Sequence, residues 1–257
     1  MSPDTLKTSV SWVEPDRILL RGYRIRDLIG RVSFGQAAYL LLVGELPDAK
    51  AGNILEAILV SVIDHGPAAP TAKAARIVAN TGAPLSSAVA AGVLAVTRYH
   101  GGAIEDCMTI LEECVGMGLD PFEAATELVS RYRARGLRIA GIGTPNHIED
   151  PRVTRLFAYA HEQGVEGPYV QQIQHLQRAV SQALEARLPI NIDGAIAALL
   201  CEIKFPKRAA NGLFLMSRVA GLVAHAVEEQ TRYKPLETVT AEELVYDGPP
   251  ERPMPPK

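Results

Sequence analysis

The sequence predicts a mainly α-helical fold with a little β-structure at its N-terminus. Three observations carry this. From Ser33 onward alanine and leucine dominate, and apolar positions recur with a helical rather than an alternating period. Glycine and proline fall between the apolar stretches, where helices stop. Before Ser33 the pattern is short, and DRILLRGYRI is rich in β-formers, with Gly22 as a turn between strands.

The elements follow in order. FGQAAYLLLVGELP, from Phe34, is helical in period and is stopped by Gly44 and Pro47. Helical stretches are then expected near 49–64, 71–80, 85–98, 102–117, 121–135, 152–164, 168–186, 192–203 and 207–230. Many are apolar on more than one face, as around 87–96. Helices apolar all round lie in a large core or at a subunit interface, so an obligate oligomer is expected. The tail DGPPERPMPPK, 247–257, is proline-rich and is expected to be flexible or draped on a surface. No repeat or long linker divides the chain, and 257 residues are ample for one large core.

Composition narrows the function. Hydrophobic residues are 47% and charged residues 21%, as in ordinary globular proteins. A net charge of −3 argues against nucleic acid as a partner. Cys107, Cys114 and Cys201 show neither paired spacing nor an even count, which speaks for a reducing compartment and against a disulfide framework or zinc site. The apolar runs read as too short to span a bilayer. MSPDTLKTSV lacks an apolar signal core, so a cytoplasmic protein is expected.

Four stretches could carry chemistry. IDHGPA (63–68) places His65 between an acid and a glycine at a helix end; the plain reading is a capping Asp64 and a surface histidine. RYHGGA (98–103) puts His100 before two glycines and a helix start, where a ligand could approach the backbone and a neutral imidazole would be favoured. It reads equally as a helix–helix turn. GIGTPNHIEDPR (141–152) is a glycine-tightened loop ending at Arg152, at a helix start that welcomes anions. LPINIDGAIAALL (188–200) isolates Asp193 among apolar residues. It is either an N-cap or a carboxyl with a raised pKa suited to general base work, or both. MSRVAGLVAHAVEEQ adds Arg218 and His225, seven residues apart and so on one helical face.

Taken in order, RGYRIRDL, LLLVGELP, DHG, HGG, GIG…DPR, NIDG and SRVAGLVAH resemble the citrate synthase superfamily along nearly the whole chain. DHGPA, NIDG and the short span from Pro47 to Asp64 are most similar to its citryl-CoA lyase members. The resemblance implies a shortened multi-helical fold with a large domain, a small domain at roughly 100–190, and a homodimer or higher oligomer. It implies no permanently bound cofactor and no metal; a coenzyme A thioester and a di- or tricarboxylate are the small-molecule partners. The implied chemistry is Claisen-type condensation or its reverse.

Roles carry over residue by residue. Asp193 matches the carboxylate that exchanges a proton with the acetyl-CoA methyl carbon. His100 matches the histidine that stabilises the enol or enolate at the thioester oxygen. His65 matches the histidine that binds the hydroxy acid. Arg152 and Arg218 match arginines that clamp carboxylates, and Gly141, Ile142 and Gly143 match the loop along which CoA lies. A third clamp, lent by the partner subunit, falls to Arg232 or Lys234 in TRYKPLE, although lysine cannot reproduce a guanidinium fork.

One position departs from the pattern. The family has a histidine directly after the glycine pair, and here that residue is Thr144, with His147 three residues on and the loop about one residue short. Three readings follow: His147 takes the role, Thr144 gives a weaker hydrogen bond, or the family reaction is lost. Losing one such donor costs roughly 10²–10³ in rate. The leading expectation is a citryl-CoA lyase-like enzyme that releases acetyl-CoA and a 2-oxo acid such as oxaloacetate. The rivals are a condensing enzyme and a non-catalytic binder of CoA or a carboxylate. His147 and Glu149 read otherwise as solvated loop residues, which is the preferred reading for Glu149.

Overall fold

The computed structural model describes residues 7–97, 100–144, 148–236 and 245–254. Its N-terminus is an antiparallel meander of β1 (Ser11–Glu14), β2 (Arg17–Leu20) and β3 (Tyr23–Arg24). Ser11 faces Leu20 in the first pair, and Leu20 faces Tyr23 in the second. The turn at Gly22 has positive φ at both central residues, Arg21 (47°) and Gly22 (88°), which matches the twist of two paired strands. The sequence reading missed β1. It lies upstream of the apolar run, and a second turn at Asp16 folds it back.

Helices fill the rest: α1 (Ile25–Leu28), α2 (Phe34–Val43), α3 (Ala49–Ser61), α4 (Pro70–Asn80), α5 (Leu85–Leu94), α6 (Ile104–Gly116), α7 (Pro121–Ala134), α8 (Pro151–Glu162), α9 (Pro168–Ala183), α10 (Ile192–Glu202) and α11 (Ala210–Arg232), the last entered through a 3₁₀ turn at Lys207–Ala209. Local chemistry sets their ends. Ser33 and Gln36 close a capping box on α2, and Asp48, Asp120 and Asp150 cap α3, α7 and α8. Proline opens α4, α7, α8 and α9, where its missing N–H costs nothing.

Two helix groups frame the site. α6, α7, α9 and α10 pack on one another, as do α4, α5 and α11, and α3 bridges to both α8 and α11. One buried apolar cluster runs from Tyr39 to Phe214, and α10 lies within it, with Ala195 through Leu200 fully buried. The span Lys207–Arg232 corrects the expectation that no apolar run could cross a membrane, since by length and composition it is sufficient. It reads instead as a core helix. Arg218 and Glu229 are buried on it and both are paired within the protein. Residues 245–254 are exposed.

Candidate active site

Five of the side chains singled out in the sequence come together between the two helix groups. Asp193 lies in the first turn of α10, but it is not the helix cap. Asn191 caps α10 through Gly194 N (3.1 Å), and its amide also donates to Gly143 O (2.8 Å). This corrects the capping alternative for Asp193 and leaves its carboxyl unspent. Asp193 keeps a narrow path to solvent, yet protein surrounds it closely enough that desolvation raises its pKa from 3.8 to about 6, against the opposing pull of Arg152 and Arg218.

The glycine loop is seated on the start of α10. Gly141 O accepts from Asn191 N (3.0 Å), and Gly143 N donates to Pro189 O (2.7 Å). A Cβ at Gly194 would overlap the carbonyl oxygen of Gly141 and sit 3.0 Å from its Cα, so only glycine permits this approach. Thr144, half-buried, lines a cavity of about 590 Å³ with Ile142, Gly143, Arg133, Arg138 and Leu188. His147 lies outside the described residues.

His100 stands in the narrow loop between α5 and α6, where its backbone pairs with Thr97 in both directions (2.9 and 3.0 Å). Its pKa is lowered, first by burial and then by the charges of Arg218 and His65. The neutral imidazole expected from a helix start is therefore favoured by different causes. His100 Nε2 is 3.1 Å from the Thr71 hydroxyl, which also accepts from Arg218 Nη1 (3.2 Å). A guanidinium can only donate, so the Thr71 hydroxyl keeps its own proton for His100 Nε2, and in the tautomer that accepts it Nδ1 carries the imidazole proton.

Both arginines are held by the protein. Arg218 is buried, donates from Nε to Val62 O (3.0 Å), and lies 4.7 Å over the Phe214 ring. Arg152 is gripped by buried Asp150 in a fork, Nε to Oδ1 (2.9 Å) and Nη2 to Oδ2 (2.6 Å). The helix-start N–H of Arg152, expected to greet a ligand anion, is taken by Asp150 Oδ1 (3.0 Å). Of the guanidinium itself, Nη1 has no partner among the described residues.

His65 is half-buried in a turn anchored to α11. Asp64 does not cap a helix. Its Oδ2 accepts from Gly66 N (2.8 Å) and its Oδ1 pairs with His225 Nε2 (3.0 Å). Burial raises the Asp64 pKa, but the Gly66 N–H and His225 outweigh it, and the net shift is downward. Arg218 and His225 thus share one helical face. Glu149 forms an exposed pair with Arg187 (2.5 Å), as its plain reading held. Arg232 and Lys234 do not join the cluster within one chain. Arg232 pairs with Glu228, and Lys234 O accepts from Asn80 (3.0 Å).

Thr71, Asp150 and Asn191 were not singled out from the sequence. Asp150 and Asn191 sit inside quoted motifs, whereas Thr71 lies in PTAKAAR, which reads only as a helix start. Cys107 packs against Gly141, and burial pushes its thiol pKa well up, so it is an inert neighbour of the loop. Among the described residues no three His, Cys, Asp or Glu side chains converge as a metal site.

A desolvated carboxyl, an imidazole pushed toward its neutral form and two fixed guanidinium groups, each within reach of another's charge, define a class: a site able to exchange a proton and to hold an anion. Residues 48–237 match the family model described as "Citrate synthase, C-terminal domain", and the chain belongs to the citrate synthase family. It superposes on the citryl-CoA lyase of Hydrogenobacter thermophilus with a TM-score of 0.89 and 40% identity, covering 97% of each chain. Against the Methanosaeta concilii ATP citrate lyase, solved as a D541A mutant in complex with (3S)-citryl-CoA, the TM-score is 0.83 with 25% identity, over 98% of this chain and 43% of that one. The ATP-citrate synthase beta chain protein 1 of Oryza sativa is 26% identical over 248 residues. This chain spans only 38% of the length of that plant relative.

Proposed function

We propose that this chain, an enzyme of the citrate synthase superfamily, cleaves a citryl-CoA-type thioester to acetyl-CoA and a 2-oxo acid such as oxaloacetate. The observation that carries the reading is the Asp193 carboxyl, with a pKa near 6, set between Arg152, Arg218 and the neutral-favoured His100. The likeness to a citryl-CoA lyase over nearly the full length of both chains supports it.

In this reading the cavity beside Ile142–Thr144 takes coenzyme A along the glycine loop. Arg152, Arg218 and His65 hold the carboxylates of the acid. A base removes the hydroxyl proton, the carbon–carbon bond breaks toward the thioester, and the electron pair becomes the acetyl-CoA enolate. The Nδ1 proton of His100 stabilises charge on the enolate oxygen, and protonated Asp193 supplies its proton to the methylene carbon. The hydroxyl-proton step falls to the 144–147 segment. Thr144 offers a hydrogen bond but no base, so His147 is assigned the proton. Run backward, the same groups condense acetyl-CoA with a 2-oxo acid, with Asp193 ionised at the start.

Dimerisation belongs to the proposal. Val60, Ile77 and Leu94, on α3, α4 and α5, are all more than 60% exposed, apolar side chains that a second copy would cover. Arg232 or Lys234 then reaches the partner's acid. The Thr144 departure favours a second reading, a binder of CoA or a carboxylate without catalysis. Asp193→Asn separates the two. An enzyme loses turnover while CoA binding persists, whereas a binder shows no turnover in the parent with citryl-CoA or its close analogues.

A further inference from the structure

His225 has no part in the chemistry above, yet it is half-buried with a specific partner. α11 grips the segment 62–66 at three successive points of one face. Arg218 donates to Val62 O at 3.0 Å. Gly221 lies so close that a Cβ there would be 2.5 Å from Ile63 O and 2.8 Å from Asp64 Oδ1. His225 then pairs with Asp64 Oδ1 at 3.0 Å.

The last contact differs from the other two. Asp64 Oδ2 also accepts from Gly66 N (2.8 Å), so one carboxylate spans His65 from the residue before it to the residue after it. Gly66 holds a left-handed φ of 79° and precedes Pro67, which fixes the chain's exit. Ile63, Pro67 and Ala68 are exposed, so little packs on the outer side of this turn. The Asp64 carboxylate therefore braces the backbone that carries His65, and the carboxylate's other end is held by His225.

We propose that His225 is a positioning residue: through the Asp64 carboxylate it sets the turn that aims His65 at the acid. The assignment of His65 to the acid rests on the proposed function; the mechanical link from His225 to His65 does not. The two are tested separately.

The variants are His225→Leu, which removes the donor, and His225→Gln, whose amide can restore it. Imidazole resonances of His65, assigned by their loss in His65→Gln, are read by NMR in each. The link predicts that they shift in His225→Leu and return toward the parent in His225→Gln. Calorimetric titration then gives affinities. Oxaloacetate binding should weaken roughly ten- to hundredfold in the leucine variant and recover with glutamine, the range of a lost hydrogen bond to a charged group. CoA affinity should stay within about twofold, because that site is independent. Unshifted His65 resonances in folded His225→Leu overturn the proposal, and so does an equal loss of oxaloacetate and CoA affinity. If His225→Leu does not fold, Asp64→Asn loosens the same turn from its other end, and an unshifted His65 there overturns it equally. A parent that binds no oxaloacetate while His65 shifts in the leucine variant sinks the acid-site reading and leaves the positioning link standing.

Discussion

Asp193 shows what burying a single carboxyl costs in stability. Its pKa of about 6 in the fold, against 3.8 free, means the folded state holds the proton more tightly than the unfolded chain. Folding is then favoured by this group below pH 3.8, loses that advantage as pH rises from 3.8 to 6, and stays lower above. The difference amounts to at most about 3 kcal/mol, an upper bound because the residue keeps a path to solvent. Asp193→Asn should therefore raise stability at pH 8 and lose that gain below pH 4, which thermal melts across pH will show. A gain independent of pH would mean the carboxyl is not desolvated. In the proposed mechanism the same ionisation governs rate. Cleavage as proposed draws on protonated Asp193, so kcat/KM for cleavage should fall as pH rises through about 6, and because the overall reaction takes up no net proton, that for condensation should follow the same profile. A cleavage profile that stays flat through pH 6 would remove Asp193 from the proton transfer.

At the scale of elements, the start of α10 and the glycine loop act as one piece. Gly194 and Gly141 touch backbone to backbone, and Asn191 ties to the carbonyls of both Gly141 and Gly143. Gly194→Ala should cost about 1–3 kcal/mol by overpacking against rigid backbone, and should weaken CoA binding by displacing the loop. Denaturant melts and CoA titration check both. An alanine variant with parental stability and CoA affinity would deny the contact. This level also shows what sequence could reveal. Helix ends were readable because caps, opening prolines and stopping glycines act within a few residues, as at Ser33, Pro121 and Gly44. The strand β1 was not, because its pairing depends on the turn at Asp16 rather than on its own composition. His65, His100, Arg152, Asp193 and Arg218 were legible through motifs. Thr71 was not, because its meaning lies in Arg218, 147 positions away, and in His100.

For the whole molecule, the exposed stretch at 232–236 is the test of assembly. Asn80 pins it twice, through its side chain to Lys234 O (3.0 Å) and through its carbonyl to Leu236 N (3.1 Å). The Lys234 ammonium has no partner among the described residues. If it serves the partner's site, Lys234→Ala and Asp193→Asn chains are each inactive alone but complement in mixed dimers, restoring up to about a quarter of the sites in a closed two-fold pair. No recovery on mixing would place the clamp within one chain or remove it. The central claim, that the altered loop still supports carbon–carbon cleavage, is tested most directly by adding (3S)-citryl-CoA to the purified protein and following oxaloacetate with malate dehydrogenase. The account predicts oxaloacetate release that Asp193→Asn abolishes. No release from a protein that still binds CoA would contradict it.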